Sequence, residues 1–157
     1  MIDYLYSVEK RLSQLVKSLD GWQRRFVTYE TPHVERLYRQ DGENRIYLHC
    51  ILPCTEEQAF YHLHPWPSAM RILDGCYKMQ IGVGQENAAT MILGPGTAYS
   101  MTNPAAMHSV MPYTPTLTVM VTGPVWQQHK ISSPVVNSEL SDEQAQQLLE
   151  QFQLYYP

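Results

Sequence analysis

The histidines at 62, 64 and 108 are the residues of this chain best suited to do chemistry. His62 and His64 are separated by one residue, and in a β-strand that spacing sets both imidazoles on the same face. Two rings on one face and a third from elsewhere can grip a divalent metal and leave coordination positions open for substrate. Six histidines in a chain of 157 residues will sometimes fall two apart by chance. The surrounding residues must therefore carry the argument.

The bulk properties narrow the setting. The chain is 44% hydrophobic and 17% charged, the balance of a globular protein with a real core. A net charge of −4 argues against a nucleic-acid partner. There is no basic amphipathic stretch and no apolar run near the ~20 residues of a membrane span, so no membrane partner is expected. The opening MIDYLYSVEKRL mixes acidic and basic residues and does not read as a secretory signal. Cys50, Cys54 and Cys76 are an odd set without zinc-knuckle spacing; they read as free thiols of a cytoplasmic protein.

Helices are expected at both ends. Leu5, Val8, Leu12, Leu15, Val16 and Leu19 recur at helical spacing and predict a helix over about residues 3–19, stopped at Asp20-Gly21. Ser141 followed by Gln144 forms a capping box opening a second helix over about 142–154. Between them, Val-, Ile-, Tyr- and Thr-rich runs alternate with Gly, Pro, Asn and Asp. Candidate strands fall at 25–30, 35–39, 45–52, 58–64, 69–73, 77–83, 90–93, 97–101, 107–110 and 116–121. About ten short strands predict a β-sandwich or barrel over roughly 24–127, within a single domain spanning 1–157.

The stretch HLHPWPSAMRILDG (62–75) and the stretch LGPGTAYSMTNPAAMHSV (93–110) together resemble the two signature motifs of the cupin superfamily. His62 and His64 match the His-x-His pair and Gly75 the turn glycine. Pro95-Gly96 matches the later turn, and His108 the last histidine. The resemblance implies a double-stranded β-helix, the cupin jelly-roll barrel, flanked here by the N- and C-terminal helices. It implies a metal held inside by His62 and His64 from one strand and His108 from a strand of the opposing hairpin, with Met107 and Ser109 facing away. Ser68 stands where the family usually carries a metal-binding glutamate. The expected site is therefore three histidines without a carboxylate, with Fe(II) favoured and Zn, Ni, Mn or Cu as other occupants.

A three-histidine cupin site looks like that of the cysteine and thiol dioxygenases. That likeness implies a non-haem iron dioxygenase acting on a small polar, thiol-type substrate; a non-catalytic metal- or ligand-binding module is the alternative. It also implies an arginine for the substrate carboxylate, for which Arg39 is the candidate; Arg45 is also available, while alternation from His62 turns Arg71 outward. Tyr99 and Tyr113 are candidate hydrogen-bond donors near the metal. His33, His49 and His129 lack motif support, with His49 a reserve ligand. The resemblance suggests a homodimer that binds a small molecule.

Overall fold

Every side chain from Thr116 to Thr122 is buried, which a strand achieves only when both of its faces are covered. Leu117, Val119 and Val121 join one apolar cluster, whereas Met120 joins another. The computed structural model shows why. It describes the chain except Tyr29, Gln85, residues 127–137 and the side chains of residues 86–88. His129 thus lies outside the described residues.

The order of elements is α1 (Ile2–Leu15), β1 (Gln23–Val27), β2 (Val34–Asp41), β3 (Asn44–Ile51), β4 (His62–Leu63), β5 (Ser68–Asp74), β6 (Tyr77–Val83), β7 (Glu86–Leu93), β8 (Ala98–Met101), β9 (Ala106–Pro112), β10 (Thr116–Thr122) and α2 (Asp142–Gln153). Two antiparallel sheets form, one in the order β1-β2-β3-β10-β5-β8 and one in the order β4-β9-β6-β7. Late strands insert between early ones: β10 lies between β3 and β5, and β9 between β4 and β6. This interleaving is that of a jelly roll, and it brings residue 108 beside residue 62.

The central strands of the larger sheet serve two cores by alternation. Leu37, Ile46, Leu48, Cys50 and Ala69 face the helices, where they meet Leu5, Val8 and Leu12 of α1 and Ala145, Leu148, Leu149 and Phe152 of α2. Their intervening neighbours Tyr47, Met70 and Ile72 face inward and pack with Tyr77 and Met79 of the smaller sheet. Burying a side chain of this size contributes about 1.5–3 kcal/mol, and Leu5, Val8 and Leu12 of α1 are each fully buried.

The helices differ little from expectation. In α2 the Ser141 hydroxyl accepts from the Gln144 amide (3.1 Å), and the Gln144 side chain accepts from the Ser141 amide (2.9 Å). The first helix ends at Leu15, four residues before the expected Leu19. There the Trp22 indole donates to the Leu15 carbonyl (2.9 Å), while Ser18 and Asp20 bond each other. Gly21 then takes the left-handed conformation, at φ +76°.

All ten expected strands form, but the fourth is cut short, to His62–Leu63 from the expected 58–64. Residues 55–59 turn instead: the Ala59 amide donates to the Thr55 carbonyl, and the Thr55 amide to the Gln58 side chain. The turn glycine of the histidine motif is obligatory. At Gly75, φ is +73°, and a Cβ would lie 2.6 Å from the Pro115 carbonyl oxygen.

Candidate metal centre

His62 and His108 are direct register partners on β4 and β9. His108 therefore comes from the adjacent strand of the same sheet, a correction to the expected opposing hairpin. His64 lies just past the end of β4, yet its ring packs with the other two, at centroid distances of 5.0 Å from His62 and 4.8 Å from His108. One nitrogen from each of the three residues falls within 4.8 Å of the others. The Nε2 atoms of His64 and His108 are 2.8 Å apart. That is hydrogen-bond distance, so without an ion one of the two rings donates to the other.

The rings are oriented from behind. His62 Nδ1 lies 2.9 Å from the Phe60 carbonyl, which can only accept, so Nδ1 carries a proton and Nε2 is the nitrogen left to face an ion. The Phe60 ring stacks on His62 at 5.5 Å. His108 Nδ1 is 3.5 Å from the Met79 sulfur, a weak acceptor, which leaves Nε2 in the same state. Burial, reinforced by the His62 and Arg36 charges, pushes the His64 pKa down to about 3. Burial, then His64 and His62, holds His108 well below its ordinary value. Both rings are thus neutral at pH 7, the state a metal ligand needs.

Among the described residues this cluster holds three histidines and no carboxylate. Ser68 is buried, on the inward alternation of Met70 and Ile72. It faces the interior from the position where the motif places a glutamate.

The other sequence candidates divide. Arg39 is not brought to the cluster: its guanidinium lies over the Trp22 ring, 5.4 Å from the centroid, on the helix side of the sheet. Arg36, not selected from the sequence, has the opposite alternation. Its Nε donates to His49 Nε2 (3.0 Å) and its guanidinium lies over the Tyr47 ring at 5.3 Å. Its charge acts on both His64 and His49. His49 faces inward but has its Nε2 lone pair occupied by Arg36, so it does not serve as the reserve ligand.

Tyr99 also faces inward. Its hydroxyl is engaged by Tyr77 (2.7 Å) and the Met70 sulfur (3.3 Å), and burial pushes its pKa up to about 12. Tyr113 is 49% exposed in the turn after β9 and is not brought to the cluster. Arg71 turns outward as expected and pairs with Glu9 of α1 (2.9 Å). Arg45 is exposed, bonded to Gln40. Counting alternation from Leu37 would have separated Arg36 from Arg39.

No protein-family profile and no curated protein matches the chain. Solved structures do. The hydroxypropylphosphonic acid epoxidase from S. wedmorenis aligns with 64% of this chain and 55% of its own, at 15% identity and a TM-score of 0.50. KdgF from Halomonas sp. aligns over 67% and 88%, at 15% identity and a TM-score of 0.50. Streptomyces albus HEPD, with 2-hydroxyethylphosphonate and Fe(II) bound, aligns over 65% and 24%, at 12% identity and a TM-score of 0.52. The chain spans little more than half the length of the epoxidase. At these identities the likeness is one of fold, and the fold is the cupin jelly roll.

Proposed function

We propose that this chain is a metal-dependent cupin in which His62, His64 and His108 hold a non-haem ferrous ion for dioxygen chemistry on a small, polar, anionic substrate of thiol type. The observation that carries the reading is the cluster itself: three imidazoles within 4.8 Å, two of them held neutral by burial, with no carboxylate among them. The all-nitrogen set suits Fe(II) and also admits Zn, Ni or Mn. HEPD, of the same fold, carries Fe(II). Bound here, the ion would supply Lewis acidity, a one-electron couple and open coordination positions.

The chain's own residues would do the rest. Phe60 and Met79 fix the ring orientations of His62 and His108. Arg36 takes the part first given to Arg39, because it lies on the inner face and its charge reaches His64. It would bind the substrate's acidic group and orient the reacting end toward the histidines. Tyr47, Met70, Tyr77, Met79 and Met120 line the interior and exclude water from it.

Metal analysis followed by oxygen-uptake assays tests this. Protein reconstituted with Fe(II) without air should consume oxygen with L-cysteine or 3-mercaptopropionate, and zinc-loaded protein should not. Stoichiometric zinc as purified, with no uptake after iron loading, would establish the alternative, a metal- or ligand-binding module without turnover. Among the described residues no carboxylate joins the cluster, which favours that alternative. The proposal includes a cytoplasmic homodimer, in keeping with three free thiols and measurable by sedimentation.

A further inference from the structure

A row of polar side chains crosses the inner face of the larger sheet. Thr118 on β10 pairs with His49 on β3, His49 with Arg36 on β2, and Arg36 with Arg25 on β1. The direction of Thr118 follows from its neighbours. Leu117 and Val119 belong to the helix-side core, while Met120, two residues along, belongs to the interior. Thr118 is 0% exposed, and its hydroxyl has no hydrogen-bond partner. A buried hydroxyl left in that state is costly, and most are paired.

Two other members of the row carry donors. Arg36 brings a guanidinium, which donates to the His49 imidazole and lies over the Tyr47 ring. The His49 Nε2 accepts from Arg36, so its proton is on Nδ1, which is a second donor. Directly opposite partners on neighbouring strands have Cβ atoms ~4.5–5.5 Å apart. One small group can therefore contact more than one member of the row. Three adjacent donors call for a ligand rich in acceptor oxygens.

We propose that Thr118 completes an oxyanion cradle with Arg36 and His49, and that it is a specificity-determining residue donating its hydroxyl to an oxygen of the ligand's carboxylate or phosphonate. This rests on the reading of Arg36 as the anion-binding residue, and it names the group that selects among anions.

Calorimetric titration of the zinc-loaded protein, in which turnover is blocked, tests it with 3-mercaptopropionate and 2-hydroxyethylphosphonate as probes. Thr118→Val should weaken binding of the preferred probe about tenfold, while Thr118→Ser should restore it. The unliganded Thr118→Val protein should melt no lower than wild type, because the hydroxyl it loses has no protein partner. Unchanged affinity in Thr118→Val would overturn the proposal, as would failure of wild type to bind either probe. Arg36→Gln separates the two readings. If it binds as wild type does, the anion reading of Arg36 fails. If it loses binding while Thr118→Val does not, only the role of Thr118 fails.

Discussion

The tyrosines and the histidines buried between the two sheets satisfy their polar atoms in different ways. Tyr77 and Tyr99 bond each other at 2.7 Å, and both lie near the Met70 sulfur, at 3.5 and 3.3 Å. That group is closed on itself. In the His62, His64 and His108 cluster three ring nitrogens converge within 4.8 Å of one another, with the His64 and His108 Nε2 atoms 2.8 Å apart, while Thr118 on the larger sheet keeps a hydroxyl without a partner. Along β6, Tyr77 stands opposite Pro112 and Ile81 opposite His108; four residues of strand is about 13 Å. Both groups are buried and polar, so burial alone does not mark a site. What distinguishes them is the chemistry of the converging atoms: the phenol hydroxyls only close a contact, whereas imidazole nitrogens can exchange theirs for an ion.

The largest expected effect breaks the comparison at the histidines. His108→Ala or His64→Ala should reduce metal content in the purified protein to near zero, while Tyr99→Phe leaves it unchanged. Retained metal in His108→Ala would remove His108 from the ligand set. The second effect is on pH. Folded His64 has its pKa depressed to about 3, and His108 and His49 are also well below the ordinary value. An unfolded histidine titrates near ~6.5. The unfolded chain thus binds more protons at acidic pH, and the stability from keeping these rings neutral is full above ~6.5 and lost progressively toward about 3. Chemical denaturation of the metal-free protein should show stability falling as pH drops from 7 to 5.

A smaller effect sharpens the other side. Tyr99→Phe removes one partner of the Tyr77–Tyr99 bond and should cost about 1–2 kcal/mol in denaturation without changing anion affinity. Smallest is Arg39→Ala. It removes a cation–π contact with Trp22, worth about 0.5–1 kcal/mol, and should leave metal and ligand binding alone. A loss of anion binding in Arg39→Ala would restore the residue that alternation excludes.

The positions of all ten strands and both helices were legible in the sequence, because turn residues and periodicity mark them locally. The direction of side chains on β2 was not. Val34, Arg36 and Tyr38 alternate with Glu35, Leu37 and Arg39, so each face carries both apolar and charged residues. Only Leu37 of that strand is fully buried and most of the others are half-buried on either face, so alternation of polarity loses its meaning there. The placement of His64 was legible only in part. Same-face spacing in a strand leads to the pair, but the strand ends at Leu63 and His64 reaches the cluster from beyond it. The orphaned Thr118 hydroxyl had no signature in sequence, since hydrogen-bond pairing depends on what stands across the interior.

The register partnership of His62 and His108 has a further consequence. β4 is held at the edge of its sheet by only two residue pairs, His62–His108 and Leu63–Met107. His64 and His108 are 44 residues apart along the chain. An ion gripping both would close that loop as a removable cross-link. In the chain-entropy account, a cross-link over such a loop is worth about 4 kcal/mol. Metal loading would therefore lower the population in which this corner of the sheet is open, and hydrogen exchange at Leu63 would report ion occupancy without any substrate.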